Sequence, residues 1–390
     1  MKIAYCIGAL NLGGVGTVAH NLSQYFLKRG DEFHIVTTHH KGNFYDTAKQ
    51  LDWPVIDVSD AEISLKKRMK STYSFLLTYD VVINNHSDEL LFILPALPNS
   101  IIKISVQHNT TIKSSKRLSF NSQYLNFSAG VSSAVTSVME TYHQDKEKIV
   151  VLPNGVSKTG NKTYDLKTSN LLRLLYVGRL DNHQKNIFIL PKVLKSLINE
   201  GINATITVAG SGEHEEELKN KFLDLGLNDN FKFVGRISAI ELGEFFESHD
   251  FVLNMSNWEG LPMVILEAMS AGIIPILSNI EPHKYALGTN ISREILTANN
   301  SIDSYVNIMK KLHKNAQMRI EISKELKERW EFNFSIEAFG ENYLNLIEDA
   351  TKQEAKAQPV PLSKVKLPVK DKYKITLAYY CAQKIFRRTK

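Results

Sequence analysis

Short apolar runs alternate with longer stretches of helical period along the first 350 residues. Short apolar runs predict buried strands, and apolar residues spaced by three and four predict the helices that cover them. In the first half the predicted strands are 3–7, 34–38, 81–84, 102–106, 127–130 and 149–152, with a helix over 15–28. In the second half the predicted strands are 172–177, 205–209, 231–234, 251–254 and 274–277, and the predicted helices are 186–199, 213–225, 239–248 and 262–271. Strands and helices that alternate in this way predict parallel sheets with helices on both faces.

The two series of strands are separated by the polar segment 157–170, which we interpret as an interdomain linker. Only helical periodicity follows residue 300. We therefore divide the chain into a first domain (1–165), a second domain (166–333), a further helix (334–350) and a tail (351–390). The predicted fold is α/β, with two doubly wound domains.

The net charge of +6 comes from the tail. Residues 351–390 hold eleven of the 47 basic residues and two of the 41 acidic residues, so the rest of the chain has a net charge of −3. From residue 370 onward, apolar residues recur in steps of three and four beside Lys and Arg, which predicts a basic amphipathic helix. Such a helix suits an anionic membrane surface. A helix packed on the protein itself and a disordered, solubilising tail are the alternatives.

The remaining composition is typical of a soluble globular protein, with 43% hydrophobic and 23% charged residues. No apolar run approaches the roughly 20 residues that span a bilayer. The chain also begins without the charge and cleavage pattern of a secretory signal, so we expect a cytoplasmic location, peripheral at the membrane where the tail binds it. Cys6 and Cys381 lie at opposite ends of the chain, so we expect neither a disulfide framework nor a zinc site.

Two glutamates in the segment 254–272 are the first candidates for chemistry. The segment is predicted to be a strand end, a turn at Glu259 and a helix with Pro262 at its first position and Gly272 after its end. Glu267 lies inside that helix, with seven residues between it and Glu259. A helix N-terminus attracts phosphate, and carboxylates accept hydrogen bonds from sugar hydroxyls. A sugar nucleotide would satisfy both features, whereas two solvated carboxylates are the alternative interpretation.

A glycine-rich loop containing Gly14 and Gly16 follows the first strand and opens the first helix. Glycine lets the backbone approach a phosphate closely at a helix start. The spacing also fits a relaxed dinucleotide-binding loop, which would indicate an NAD(P)-dependent oxidoreductase. That class needs an acid at the end of the second strand to hold a ribose, and His39 and His40 stand there instead. The oxidoreductase is therefore disfavoured, although it stays an alternative.

Arg179 and Lys185 lie in the loop after the first strand of the second domain. Two fixed cations can stabilise the charge that develops on a leaving diphosphate without help from a metal. The chain contains no D-x-D pair, which disfavours the metal-dependent transferases, and no Walker loop or nucleophile elbow. We therefore expect neither a metal site nor a cofactor.

Three more candidates follow predicted strands. Gly210 and Gly212 come after the second strand of the second domain, where they would let a nucleotide approach the backbone. His108 follows the fourth strand of the first domain, at the sheet edge where ligands of α/β proteins bind. A histidine there can donate a hydrogen bond or carry a charge near neutral pH. The alternative is an ordinary polar loop residue.

These motifs, in this order, resemble those of the retaining GT-B glycosyltransferases of family 4, also called group 1. Glu259 and Glu267 match the family's E-x7-E motif, and Arg179 and Lys185 match its donor-phosphate clamp. The resemblance covers the whole chain apart from the tail. It implies two Rossmann-like domains that face each other across a cleft, a first domain for the acceptor and a second for the donor. It also implies that the helix 334–350 crosses back onto the first domain.

The resemblance implies a role for each candidate residue. Arg179 and Lys185 would hold the diphosphate of the donor, Glu267 its ribose and Glu259 the hydroxyls of its sugar. His108 would approach the sugar from the first domain, and with Glu259, Arg179 and Lys185 it forms the expected catalytic set. The other residues expected to bind the substrate are Gly14, Gly16, Gly210, Gly212, Gly260 and Leu261.

The chain departs from the family at two places. Gly16 stands where the family often has Glu, so no role of that Glu is carried over. The segment 278–283 replaces a more usual Gly-Gly run beside the donor sugar, which leaves the identity of that sugar open.

The expected function is hexosyl transfer from a nucleotide diphospho-sugar, with a UDP-sugar preferred. The expected acceptor is a glycan, most simply a lipid-linked one in the synthesis of a cell-surface polysaccharide or lipopolysaccharide. Neither a cofactor nor a nucleic-acid partner is expected. A UDP-sugar epimerase or phosphorylase of the same fold and a catalytically silent nucleotide-sugar-binding protein stay open, and turnover with and without an acceptor separates them.

Overall fold

Two parallel sheets form the core of the computed structural model, which describes residues 1–11, 13–59, 64–143, 145–166, 170–297, 301–353 and 357–365. The strands of the first sheet are β1 (Lys2–Ile7), β2 (Glu32–Thr37), β3 (Val55–Asp57), β4 (Val81–Asn85), β5 (Ile102–Gln107), β6 (Phe127–Gly130) and β7 (Ile149–Val151). The helices between them are α1 (Gly14–Lys28), α2 (Tyr45–Gln50), α3 (Leu65–Leu76), α4 (Asp88–Ile93), α5 (Ile112–Leu118) and α6 (Ser133–Glu140).

The strands of the second sheet are β8 (Leu172–Val177), β9 (Ala204–Ala209), β10 (Phe231–Gly235), β11 (Phe251–Asn254), β12 (Ile274–Ser278) and β13 (Leu296–Thr297). The remaining helices are α7 (Asn182–Lys185), α8 (Leu190–Asn199), α9 (Glu215–Asp224), α10 (Ala239–Ser248), α11 (Met263–Ala271), α12 (Glu281–Ile295), α13 (Ile302–Lys314), α14 (Ala316–Phe334) and α15 (Ile336–Thr351).

Both sheets follow the same plan. The strand orders are β3-β2-β1-β4-β5-β6-β7 and β10-β9-β8-β11-β12-β13. In each sheet the chain builds outward on one side and then crosses over, so the order reverses between β1 and β4 and again between β8 and β11. Ligands of open α/β sheets bind beyond the carboxyl ends of the strands at such a reversal. The loops that follow these four strands therefore lie where a ligand is expected.

The central strand of the first sheet is buried on both sides. Ile3, Tyr5 and Ile7 of β1 face the larger apolar core, whereas Ala4 and Cys6 face a smaller cluster that includes residues of α3 and α4. Alternate side chains of a strand point to opposite faces, so a strand covered on both sides reads as a continuous apolar run. Burial raises the pKa of the Cys6 thiol, so Cys6 is a small apolar residue of the core.

Helix α15 lies on the first domain although it follows α14 of the second. It packs against α1, where Gly340 lies so close to the ring of Tyr25 that a Cβ would overlap it. Beyond α15, the described residues 357–365 continue along the first domain: the Val360 amide donates to the Pro95 carbonyl (2.8 Å).

The predicted fold class is confirmed, since two parallel α/β sheets are present, and the predicted strands lie close to the observed ones. The prediction missed β3 and β13, which are only three and two residues long, and the helices α2 to α7 and α12. The shortest of these carry too few residues to show a period, and α12 is interrupted by the non-helical Gly288 (φ 72°). The helix predicted over 186–199 starts at Leu190, because Asn186 takes a left-handed conformation (φ 50°) and a single 3-10 turn follows it.

The segment 157–170 contains no helix or strand among its described residues, but it is not free in solution. The Lys162 amide donates to the Ala271 carbonyl (2.7 Å), and the Tyr164 hydroxyl donates to the Asp250 carbonyl (2.6 Å). The segment is therefore fixed along the second domain. The amphipathic helix predicted from residue 370 lies outside the described residues.

Candidate functional site

The two domains meet through the loop after β11. The Gly260 carbonyl accepts a hydrogen bond from the Ser132 hydroxyl of the first domain (2.7 Å). Gly260 also lies directly against the backbone of His108, and a Cβ at this position would overlap the His108 carbonyl oxygen. The loop of Glu259, Gly260 and the buried Leu261 thus brings the carboxyl edges of both sheets together.

Helices α1 and α11 begin next to each other in this cleft, where a Cβ on Gly14 would lie 3.7 Å from the Met263 side chain. Neither helix has a side-chain cap at its N-terminus or an acidic residue in its first turn, within the part of the chain that the structure describes. The first N–H groups of both helices are thus left for an anion. Pro262 was predicted to be the first helical residue; this is wrong by one position, because its ψ of 115° is extended and α11 begins at Met263.

Lys185 and Glu259 form an ion pair at the mouth of this cleft. Their side chains are 16% and 8% exposed, so water screens the pair only weakly. The same carboxylate accepts a hydrogen bond from the Ser256 hydroxyl (2.7 Å), and its other oxygen lies 3.4 Å from the Gln184 amide. Glu259 is therefore held from three sides.

Arg179 joins the same group through Gln184, whose side-chain oxygen accepts from the guanidinium (2.7 Å). Arg179 is far more exposed than Lys185, at 61% of its side chain. The structure thus brings together the two predicted cations and Glu259, with Lys185 mostly buried and Arg179 at the surface.

A second layer of side chains supports Glu259. The Ser278 hydroxyl donates to the Ser256 carbonyl (2.6 Å), and the Ser278 carbonyl accepts from Nδ1 of His283 (2.8 Å). Burial lowers the pKa of His283 to about 4, so this ring is neutral at pH 7. Ser278 and His283 belong to the segment that departs from the family pattern, and they fix the backbone behind the carboxylate.

Glu267 has a different environment from Glu259. It lies on α11, half-buried, and no side chain of the described residues donates to its carboxyl group. Burial raises its pKa to about 7. Glu267 therefore changes its charge near neutral pH, and a ligand that donates hydrogen bonds would favour the ionised form.

Of the two possibilities for His108, a hydrogen bond or a charge near neutral pH, burial favours the first, because it keeps the ring neutral. Burial, and to a smaller extent His86, lowers its pKa to about 3. Its Nε2 lies 2.8 Å from the amide nitrogen of Asn85, and its ring lies 5.8 Å from that of His86. The pKa of His86 is lowered to about 4 by burial and by Arg117. His108 can therefore take part in hydrogen bonds but brings no charge to the cleft.

The remaining predicted glycines contact the protein's own chain. A Cβ on Gly210 (φ 144°) would overlap the Gly178 carbonyl, and one on Gly212 would overlap the Leu180 carbonyl. Gly16 is buried, and a Cβ there would lie 2.9 Å from the Leu10 side chain. Close packing of loops thus explains these three glycines physically, and their contact with a nucleotide stays a prediction.

Four residues of the site were not predicted from the sequence: Gln184, Ser256, Asn85 and Ser132. Gln184 directly precedes Lys185, and Ser256 lies in the same loop as Glu259, and that placement was their signal. Asn85 is the last residue of β4, at the same sheet edge as His108, which follows β5 directly, and that placement was its signal. Nothing in the sequence indicates that Ser132 contacts Gly260, because 128 residues separate them.

One group of described residues has the composition of a metal site: Asp181, Glu213 and His214. Two of its members already act within the loop. The Asp181 carboxylate caps α7 by accepting from the His183 amide (2.9 Å), and Nδ1 of His214 accepts from the Asn182 amide (3.3 Å). The group is explained by loop structure.

The chain matches the family model described as "Glycosyltransferase Family 4" over residues 12–159 and the model described as "Glycosyl transferases group 1" over residues 165–329. Among curated relatives, it is 29% identical over 280 residues to an Escherichia coli UDP-Gal:alpha-D-GlcNAc-diphosphoundecaprenol alpha-1,3-galactosyltransferase, covering 63% of this chain and 71% of that protein. It is 27% identical over 194 residues to an uncharacterized glycosyltransferase of Haemophilus influenzae, covering 48% of this chain and 53% of the relative. The chain thus spans about half the length of this second relative.

Solved structures agree with the fold. Anabaena HepE in complex with UDP and glucose superimposes with a TM-score of 0.74 at 16% identity, over 89% of this chain and 99% of HepE. The lipopolysaccharide outer core galactosyltransferase WaaB superimposes with a TM-score of 0.67 at 20% identity, over 90% and 99% of the two chains. None of the helices in the described residues is both long and apolar enough to cross a membrane. The two family models together account for both domains, and the chain therefore belongs to the GT-B glycosyltransferases of family 4, or group 1.

Proposed function

We propose that this protein is a retaining hexosyltransferase that moves a sugar from a UDP-sugar to a lipid-linked glycan during the synthesis of a cell-surface polysaccharide or lipopolysaccharide. The E. coli relative uses UDP-Gal and a diphosphoundecaprenol-linked acceptor by its name. A Campylobacter jejuni relative, 21% identical over 368 residues, adds an N-acetylgalactosaminyl unit to a diphosphoundecaprenol-linked glycan by its name. Both names specify α-linkages, which supports retention of the donor's configuration.

The Lys185–Glu259 pair carries the proposal for the donor. Both groups are mostly buried and satisfy each other. A nucleotide diphospho-sugar offers a partner to each one: its diphosphate attracts the ammonium group, and its sugar hydroxyls donate to the carboxylate. The donor can therefore replace the ion pair without leaving a buried charge unpaired, which would be costly.

The charge balance of the cleft favours a diphosphate at the start of α1 and α11. The uncapped helix ends each supply a partial positive charge, and Lys185 and Arg179 supply two full ones. Preorganised positive groups stabilise the charge that grows on the leaving diphosphate. We propose that they do so without a metal ion. Glu267 would accept from the ribose, and the neutral His108 would hydrogen-bond the donor sugar from the first domain.

We also propose that the tail brings the enzyme to an anionic membrane. Leu362 and Val365 pack on the smaller cluster of the first domain, as do Leu65 and Tyr73 of α3. Val365, the last described residue before the basic part of the tail, therefore lies on the side of the protein where α3 exposes Lys66, Lys67 and Lys70. Each basic residue near an anionic surface contributes about 1 kcal/mol of attraction.

A panel of nucleotide sugars tests the donor. The matching donor should raise the melting temperature, because a ligand that binds only the native state stabilises it by mass action. The same donor should then label a polyprenyl-diphosphate-linked sugar, with the α-anomer in the product by NMR and with full activity in EDTA. Release of an epimerised nucleotide sugar without an acceptor would make the protein an epimerase. Stabilisation without any turnover would make it a silent binder.

Removal of residues 366–390 tests the membrane partner and leaves the packed segment 357–365 in place. The truncated protein should lose cosedimentation with anionic vesicles but keep its donor-induced stabilisation, and neutral vesicles serve as the control. Binding of the full chain should weaken with salt. Equal cosedimentation of both proteins would move the membrane contact to Lys66, Lys67 and Lys70.

A further inference from the structure

A line of hydrogen bonds crosses the core of the first domain and ends at His108. It starts on α15, where the hydroxyl of Tyr343 is hydrogen-bonded to that of Tyr5 on β1. The Tyr5 hydroxyl contacts the side-chain amide of Asn85 at the end of β4. The same amide lies 2.8 Å from Nε2 of His108. Side chains from α15, β1 and β4, which are distant in sequence, thus form one line that ends at the imidazole ring of His108.

The line passes through a region where polar groups are costly. Tyr5 and Asn85 are fully buried, and Tyr343 is 1% exposed. Burial of a hydroxyl or amide group destabilises the folded protein unless the group is hydrogen-bonded. Apolar residues at these positions would avoid that cost. His108 is the member of the line that lies at the cleft, against the Gly260 loop. The polar residues behind it therefore have a use that packing alone does not supply.

We propose that Asn85, Tyr5 and Tyr343 are positioning residues, which hold the imidazole of His108 in one orientation and one neutral tautomer for its contact with the donor sugar. The inference deepens the proposed function, on which its catalytic part rests. A neutral imidazole has one N–H and one lone pair, and the hydrogen bond made by one ring nitrogen decides which of them the other nitrogen presents. Asn85 bonds Nε2, so it determines what Nδ1 offers.

The same line joins the crossing helix to the cleft. Helix α15 follows α14 of the second domain but packs on α1 of the first. The position of α15 on the first domain therefore determines whether the Tyr343 hydroxyl reaches Tyr5, and through Tyr5 it affects the hydrogen bond to His108. Loss of the Tyr343 hydroxyl should therefore reach His108 through Tyr5, and its effect should be weaker than that of losing the Tyr5 hydroxyl itself.

Histidine NMR on the full-length protein tests the line without any need for transfer activity. In protein labelled with ¹⁵N-histidine, the ring-nitrogen signals of His108 are identified by their absence in His108→Gln. Tyr5→Phe and Tyr343→Phe should shift these signals, with the larger shift in Tyr5→Phe. Tyr79→Phe is the matched control, because Tyr79 is 3% exposed and its hydroxyl bonds Nδ1 of His34 (2.9 Å). The control should shift His34 and leave His108 unchanged. Unchanged His108 signals in both test variants would overturn the inference.

Steady-state kinetics with the donor found by the nucleotide-sugar panel test the catalytic part. Tyr5→Phe should lower kcat about tenfold, the size of effect expected from one lost hydrogen bond in the transition state, with the donor KM unchanged. Its melting temperature should match that of Tyr79→Phe. A normal kcat in Tyr5→Phe would overturn the positioning role even if the NMR signals move. If no donor supports transfer at all, the proposed function fails, while the NMR result still decides whether the line exists.

Discussion

The carboxyl edges of the two sheets have the same backbone plan but opposite chemistry. At β8 and β11 the loops bring together ions, with Lys185 paired to Glu259 and Arg179 beside them. At β4 and β5 the loops bring together neutral groups, since burial lowers the pKa of His108 to about 3 and that of His86 to about 4. The same fold can thus bind charge on one side of a cleft and offer uncharged hydrogen bonds on the other.

The difference has a physical cause in the partners of each group. Lys185 and Glu259 have opposite charges and are buried together, so each offsets the cost of burying the other. No carboxylate of the described residues pairs with His108 or His86; instead the Arg117 guanidinium lies 3.5 Å from the His86 ring. A nearby cation and burial both favour the neutral imidazole. A nucleotide-sugar donor fits this arrangement, with its charged diphosphate at Lys185 in the second domain and its uncharged sugar facing His108 of the first domain.

The largest expected effect is on the charged half of the cleft, which consists of Lys185, Glu259 and Arg179. Lys185→Met should reduce kcat/KM for the donor about 30- to 1000-fold, since loss of a preorganised charged contact costs about 2–4 kcal/mol of transition-state stabilisation. Steady-state kinetics measure this. Lys310→Met is the matched control, because it removes another lysine paired with a glutamate of the second domain, Glu200. Equal kinetics for the two variants would remove Lys185 from the site.

The double variant Lys185→Met/Glu259→Gln separates catalysis from stability. Lys185→Met alone leaves the buried Glu259 carboxylate unpaired, which lowers stability, and the second change removes that charge. The double variant should therefore recover melting temperature without recovering transfer.

Glu259→Gln should have opposite effects on the binding of UDP and on the transfer of the sugar. The ammonium of Lys185 is no longer held by a carboxylate, so UDP without a sugar should bind severalfold more tightly, by calorimetry. Transfer should fall about 10- to 100-fold, because the neutral amide is a weaker acceptor for sugar hydroxyls. Weaker binding of UDP by Glu259→Gln would contradict the exchange of partners proposed for this ion pair.

Two glycines should show which contacts lie between the domains and which lie within one. A Cβ at Gly212 meets the Leu180 carbonyl in the same domain, so Gly212→Ala should lower the stability of the protein by about 1–3 kcal/mol through overpacking. A Cβ at Gly260 meets the His108 carbonyl of the other domain, where the domains can move apart. Gly260→Ala should therefore lower transfer with little change in the denaturation midpoint. The opposite pattern in the two variants would place the domain contact elsewhere.

The smallest expected effect is the pH dependence due to Glu267. Its pKa is about 7 in the folded protein, against 4.5 for an ordinary Glu, so the folded state binds the proton more tightly. The free energy of unfolding should therefore fall as pH rises from about 4.5 to about 7 and then level off. The free energy of unfolding of Glu267→Gln minus that of wild type should therefore be about 1–2 kcal/mol larger at pH 8 than at pH 5. Chemical denaturation at both pH values measures this difference, and an equal difference at both would contradict the raised pKa.

The pH dependence of donor affinity tests the charge of Glu267 in a second way. The ionised Glu267 is the form that accepts from ribose hydroxyls, so the affinity of wild type for UDP-glucose should rise between pH 6 and pH 8. The affinity of Glu267→Gln should stay flat over that range. A flat profile in both proteins would separate Glu267 from the ribose.

The sequence alone determined the fold class and the motifs of the charged half. Buried parallel strands are apolar throughout and helices repeat every three to four residues, so both are visible over a few residues of chain. Glu259 and Arg179 lie in loops directly after such strands, and Lys185 and Glu267 lie on the helices that follow those loops. Their shared edge could be predicted because the carboxyl ends of parallel strands fall on one side of a sheet.

Only the tertiary structure decided how these residues are paired and charged. Lys185 and Glu259 are 74 residues apart, and Asn85 and His108 are 23 apart, so their contacts depend on how loops from different strands pack. The neutral state of His108 and the raised pKa of Glu267 follow from burial, which no short stretch of sequence specifies. Local patterns fix elements because their causes are local; charge states and pairs depend on the whole chain, since desolvation and proximity arise only when the domains have folded and met.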